Sequence, residues 1–278
     1  MTWDEKLQAI DRRIIFLLVG IAVALPIIFR LPIPIPVVTP EVMGVYERIE
    51  ALPSNAGVFM VFDYEPATTP ELNPMAEALL RHCFQKNLRV VCATLYSSAP
   101  GIMESLLKEV GDRYGKKAGI DYTLLGYRAG GYAVILRIVD NLKKGFPRDY
   151  YDNLTTEAPV LEGLDRLKDF AYLMCLHDDS TIQTWVTYGY ERTGIPMASG
   201  CTAVMATGSY PLLHAKQING ILGGLKGAAE YEKCLNYEGV AHQGMFSQSV
   251  VHMLIIAMIV LGNVGHFLRH RRNRQARS

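Results

Sequence analysis

Two uncharged apolar runs, one near each end of the chain, constrain its fold more than any other feature. Residues 14–29 read IIFLLVGIAVALPIIF, sixteen residues bracketed by Arg12, Arg13 and Arg30. Residues 249–268 read SVVHMLIIAMIVLGNVGHFL, twenty residues with no formal charge at neutral pH. A helix rises 1.5 Å per residue, so about 20 apolar residues cross the hydrocarbon layer of a bilayer. The second run has that length. The first reaches it with Leu31, Ile33 and Ile35 added and the Arg30 side chain reaching back to the headgroups. A signal peptide would end in a small-x-small cleavage site, whereas LPIPIPVVTP follows here. A buried soluble helix is apolar along one stripe, not all round. Both runs are therefore expected to be transmembrane helices, over 14–30 and 249–268.

Lys and Arg near the span ends set the orientation. Lys6, Arg12 and Arg13 precede the first run, and Arg269, Arg271, Arg272, Arg274 and Arg277 follow the second. The inner flanks offer Arg30, Arg48 and Lys233. This bias predicts a cytoplasmic (inner) membrane protein with tails at 1–13 and 269–278 in the cytoplasm and the central part outside it. Arg269, Arg271 and Arg272 read as membrane anchors. The reverse topology is the alternative, and labelling of Cys201 or Cys234 in intact cells would decide it. A net charge of +1 supplies no basic field for nucleic acid, so none is expected as a partner. Five cysteines are too few, and odd in number, for a disulfide scaffold.

After a Pro-rich linker over 31–56, the stretch 57–248 alternates strand-like and helix-like segments. Apolar runs at 57–64, 88–96, 120–127, 169–178 and 196–204 read as strands, and helical spacing recurs at 70–87, 101–117, 133–144, 180–194 and 211–235. Strands apolar throughout are buried on both faces, and helices between them indicate βαβ crossovers. The expected fold is α/β: one doubly wound, mainly parallel, three-layer sandwich of about five strands.

In such sheets ligands bind beyond the carboxyl ends of the strands, where the crossover direction reverses. That rule nominates Asp63 after the first strand, Ser97 after the second, and Arg128, Gly130 and Gly131 after the third. It nominates His177, Asp178 and Asp179 after the fourth and Cys201 after the fifth. His177, Asp178 and Asp179, joined by Asp63, offer an acid–base or metal cluster, with His177 and Asp179 as metal ligands. Capping of the next helix by Asp178 or Asp179 is the structural alternative. Cys201, between small residues near a helix start, is either a nucleophilic thiol or a packed small residue. Arg128 with Gly130 and Gly131 is either an anion pocket or a plain turn. Were the crevice catalytic, Asp63, Asp178 and Cys201 would carry the chemistry and converge on one pocket with Arg128. No complete catalytic or phosphate-loop motif is present, so no cofactor is expected. Gly220, Gly223, Gly224 and Gly227 make the 211–235 helix glycine-dense, which suits tight packing on its own sheet or against a partner helix. Cys201 and Cys234 are available to pair in an oxidising compartment. Within the second run, His252, Asn263 and His266 are polar, and intramembrane polar groups tend to face other helices.

FDYEPATTPELNPMAEALLRHCF (62–84), YGKKAGIDYTLLGYRAGG (114–131) and GIPMASGCTAV with INGILGGLKGAAEYE (within 194–232) resemble one family. It comprises bacterial two-span membrane proteins with an extracytoplasmic α/β domain. The resemblance implies that fold and topology but no activity, since the family has none assigned, and no catalytic residue is carried over from it. By layout alone the chain is also similar to auxiliary components of gliding-motility-type ABC transport systems. The expected function is that of a membrane-anchored, non-catalytic subunit of a membrane-protein complex, in a scaffold, accessory or assembly role. Its partners would be the bilayer and either further copies of itself or another integral membrane protein. The alternative is a membrane-tethered enzyme or small-ligand receptor using the strand-tip crevice.

Overall fold

GVFMVFD, RVVCAT and YLMCLH are apolar on alternate and intervening positions alike, and each forms a strand buried along nearly its whole length. They belong to a computed structural model that describes residues 11–29 and 37–275 and divides into two units. The α/β unit, within 37–242, holds six strands: β1 (Gly57–Asp63), β2 (Arg89–Thr94), β3 (Tyr122–Tyr127), β4 (Tyr172–His177), β5 (Met197–Cys201) and β6 (Ile221–Gly223). They lie in the order β3-β2-β1-β4-β5-β6, every pair parallel. Among the described residues the α-helices of five residues or more are α1 (Arg12–Phe29), α2 (Pro40–Glu50), α3 (Thr69–Gln85), α4 (Pro100–Arg113), α5 (Tyr132–Gly145), α6 (Thr181–Trp185), α7 (Ala206–His214), α8 (Gly224–Cys234) and α9 (Val240–Gln275). After α6 the chain continues through a π-helical turn, Val186–Tyr190.

On one face of the sheet, Phe59, Val61, Leu173 and Cys175 pack with Ile135 of α5 and Trp185 of α6. The other face carries α2, α3, α4 and α8, which also pack on one another. Helices following β1 and β2 lie on this second face and those following β3 to β5 on the first. The crossover direction therefore reverses between β1 and β4, as in Rossmann-like sheets.

Two expectations are corrected. The sheet has six strands rather than five, because 211–235 is not one helix: α7 ends at His214, β6 intervenes and α8 starts at Gly224. Gly224 has φ +60°, a left-handed conformation that interrupts any helix and that glycine adopts without strain. Gly220 sits so close to α2 that a Cβ would lie 2.5 Å from the Glu41 carbonyl oxygen. Within the segment expected to be a linker, α2 has Pro at its start and buries Val42, Val45 and Ile49. Its first turn is held by the buried Glu230 of α8, whose Oε2 accepts the Thr39 N–H at 2.8 Å and the Thr39 hydroxyl at 2.6 Å. A neighbouring glutamate does the same for α9. Glu232, also buried, accepts the N–H groups of Gly239 (3.1 Å), Ala241 (3.0 Å) and His242 (2.9 Å). These donors at a helix start have no intrahelical partner, and a carboxylate there also meets the positive end of the helix dipole.

The other unit comprises α1 and α9 from residue 243 onward. Ile15, Val19, Ala22 and Pro26 are the less exposed positions of α1, and Ser247, Val251, Leu254, Met258 and Gly265 include those of α9. Steps of three, four and seven residues define one stripe on each helix, the spacing of two helices packed at a shallow angle. Pro26 removes one backbone N–H inside α1, and the Ser247 hydroxyl donates to the nearby Val23 carbonyl at 3.3 Å.

Among the described residues one helix is long and apolar enough to cross a membrane. It is α9 over Val240–Phe267, with a mean hydropathy of 2.0 in a window that is 6% buried. Of the two such helices expected, the described residues show one: α1, at 18 residues, covers about 27 Å of a hydrocarbon layer of about 30 Å. Arg30, Leu31, Ile33 and Ile35, which would lengthen it, lie outside the described residues, as do Lys6 and Arg277. So do the side chains of Arg269, Arg271, Arg272 and Arg274, whose backbone continues α9.

Candidate functional site

The reversal between β1 and β4 sets Asp63 opposite His177 in the sheet register. Asp63 has no exposed surface. Its Oδ1 accepts the Leu95 N–H at 2.7 Å and the Thr94 hydroxyl at 3.4 Å, and its Oδ2 accepts the Trp185 indole N–H at 2.9 Å. Burial pushes the Asp63 carboxyl up to about 7; the three donors pull the other way, and the Asp179 charge adds to the rise. All three contacts donate, which suits the ionised form.

Asp178 spans the crevice. Its Oδ2 accepts the Glu65 N–H and the Thr68 hydroxyl, both at 2.8 Å, tying the loop after β4 to the loop after β1. Asp179 faces the other way. Its Oδ1 accepts the Thr181 N–H at 2.7 Å, at the start of α6, and its Oδ2 accepts the Tyr96 phenol at 2.5 Å. Burial, then the Asp179 carboxylate, hold that phenol above its ordinary range. The helix-start role thus fits Asp179, while Asp178 is a cross-loop tie.

His177 Nδ1 lies 2.6 Å from the Asp179 carbonyl oxygen, which only accepts, so that nitrogen carries the proton. Burial lowers the His177 pKa and keeps the ring neutral. Nε2 then accepts the Ser199 hydroxyl at 2.8 Å. Ser199 Oγ is 3.0 Å from Ser209 Oγ of α7, which is 3.9 Å from the Cys201 sulfur. Hydroxyl, neutral imidazole and orienting acceptor follow the order of a nucleophile–base pair. Ser199, His177 and Ser209 are nonetheless wholly buried, with α7 lying over them. As folded, this is an interior polar network that fixes β4, β5 and α7 together.

Of the remaining nominated residues, Cys201 touches the cluster at its Ser199–Ser209 end and the others lie outside it. Cys201 is fully buried, and burial raises its thiol pKa, opposite to the shift that activates a nucleophile. All five cysteines are free; Cys201 packs on the α5–α6 face, whereas Cys234 ends α8 on the other, so these two are not a pair. Arg128 stands at the tip of β3 with its guanidinium 5.3 Å from the Phe146 ring centroid. At about 4.8 Å per strand, the β3 and β5 tips are roughly 19 Å apart on opposite sides of Asp63. Asp63 and Asp178 meet through the backbone, the Asp178 N–H lying 3.4 Å from the Asp63 carbonyl oxygen, but their carboxylates are bound separately and Arg128 and Cys201 do not converge with them. Ser97, Gly130 and Gly131 lie exposed in turns. Among the described residues no group of three or more His, Cys, Asp or Glu is placed to hold a metal. Both ring nitrogens of His177 and both carboxylate oxygens of Asp179 are already bound within the chain. Gly223 closes β6, and Gly227 lets α8 lie against Leu222, where a Cβ would come within 2.8 Å of backbone.

Tyr96 and Ser199, which the strand-tip rule also reaches, belong to the cluster, and Trp185 and Ser209 complete it without having been singled out from the sequence. Trp185 is 122 positions from Asp63, and no spacing signals such a bond. No protein-family model, curated protein or solved structure matches the chain.

Proposed function

We propose that this chain is a membrane-anchored, non-catalytic component of a membrane-protein complex, acting through its α/β domain in a scaffold, accessory or assembly role. One observation carries the reading. At the β1/β4 reversal, where an open α/β sheet ordinarily holds its ligand, the carboxylates of Asp63, Asp178 and Asp179 are bound by the chain's own donors. The stripe pairing of α1 with α9 supports a helical hairpin in lipid, completed as two spans by 14–30 and 249–268. The Lys and Arg bias supports an inner-membrane location with both ends cytoplasmic and the domain outside. Membership of the bacterial two-span family belongs to the same reading, as do a lipid and integral-membrane partnership and the lack of a nucleic-acid partner. Alkaline carbonate washing of membranes, then sizing of the detergent-solubilised full-length chain, tests it. The expected result is retention in the pellet and an assembly larger than one chain. Release into the aqueous phase, or a lone monomer with no co-purifying membrane protein, overturns it.

A second reading, a tethered enzyme or small-ligand receptor, draws on the Ser199–His177–Asp179 array. Labelling of Ser199 by a fluorophosphonate in the full-length protein would favour it, and an unlabelled Ser199 would remove its support.

A further inference from the structure

The stripe of α9 that packs toward α1 centres on Ser247, Val251, Leu254 and Met258. The polar side chains of the helix lie elsewhere. At 3.6 residues per turn, Gln248, His252, Asn263, His266 and His270 fall within about 60° of one another, roughly 120° around from that stripe. All five are exposed. Ser249 is satisfied by the Met245 carbonyl of its own helix at 2.9 Å. Among the described residues Gln248 and His252 have no hydrogen-bond partner, and Asn263 uses one amide N–H on the Ile259 carbonyl at 3.0 Å, leaving its Oδ1 open. His266 and His270 stack one turn apart, with centroids 6.5 Å apart and planes 7° from parallel. The flanks of this polar row, such as Ile255, Ile256 and Val260, are apolar and exposed.

A polar row aimed at lipid is costly, because hydrocarbon offers its donors and acceptors nothing. We infer that this face of α9 is the contact between two copies of the chain, packed as parallel helices about a two-fold axis along the membrane normal. The chemistry selects a second copy. Gln, Asn and neutral His each donate and accept, so a row made of them complements itself. Copies inserted with the same topology present each residue to its own equivalent at the same depth, His252 to His252 and Asn263 to Asn263. This inference rests on the proposal that α9 crosses a bilayer.

Disulfide scanning of the full-length protein in native membranes tests it, in a Cys234→Ser background. Met245→Cys and Ile259→Cys lie on the polar row, and Met253→Cys and Val260→Cys lie off it. Mild oxidation is expected to give a product of twice the chain mass at least about tenfold faster on the row than off it. In detergent, His252→Leu or Asn263→Leu is expected to weaken dimerisation by about threefold to twentyfold, the range for interhelical hydrogen bonds in membranes. Equal rates on both faces, or an adduct on the row whose mass is not twice the chain, overturn the pairing. Carbonate washing of the same membranes separates the two claims. Protein retained in the pellet without row-specific cross-links overturns the pairing alone, and protein released from it overturns the membrane reading as well.

Discussion

The tips of β1 and β4 and the outer face of α9 treat polar groups in opposite ways. At the strand tips every carboxylate oxygen of Asp63 and Asp179 meets a donor from the same chain. On α9, Gln248 and His252 meet none among the described residues, although apolar positions surround them. A buried donor or acceptor left unpaired costs about 1–3 kcal/mol in a protein interior. The carboxylates at the strand tips avoid this cost, whereas Gln248 and His252 would meet it wherever their face left water. The strand-tip carboxylates are satisfied within the chain, and the outer face of α9 is not.

The sharpest way to break that contrast is to open the closed region. Trp185→Ala removes a fully buried indole and one of the donors to Asp63, and about 4 kcal/mol of domain stability should be lost in urea titration followed by circular dichroism. A loss under 1 kcal/mol would mean that the crevice is already loose. Next in size comes pH. With its pKa raised to about 7, Asp63 binds a proton more readily in the folded than in the unfolded chain between about pH 4 and 7. Its contribution to stability is therefore present below about pH 4 and is lost as pH rises through 7. Asp63→Asn should flatten this slope relative to the unchanged protein; identical slopes would show that the carboxyl titrates as if exposed. Glu232→Ala leaves three N–H groups at the start of α9 without their acceptor and should cost about 2 kcal/mol. Hydrogen exchange at Ala241 and His242 should quicken with it, and unchanged exchange there would assign the capping elsewhere. Smallest is Arg128→Ala, away from the reversal and stacked on Phe146, which should change the stability read from urea titration by less than about 0.5 kcal/mol. A larger effect would extend the closed region to the tip of β3.

The first five strands were legible because each is apolar on both faces over five to seven residues. β6, three residues between glycines, is too short to show any period, and those glycines belong to a strand–helix junction rather than to a helix. α2 was hidden by the prolines around it, although Pro40 is what starts it. The strand-tip rule led to Asp63, His177, Asp178 and Asp179, because it depends on strand ends and not on family. Their partners Leu95 and Trp185 were beyond its reach, since contacts set by strand order leave no mark in local spacing. His252, Asn263 and His266 could each be picked out as polar. That they share a face, and that α1 occupies a different one, follows only from the helix phase and its packing.

The Glu232 clamp bears on the order in which the molecule is made. Its three amides leave the ribosome after every strand of the sheet, yet the carboxylate they satisfy sits on α8, already 1% exposed in the finished domain. Burial pushes the Glu232 carboxyl up and the three amides pull it back down, with the rise prevailing. The carboxylate and the amides form one joint, so the start of α9 is fastened to α8 only when both segments are in place.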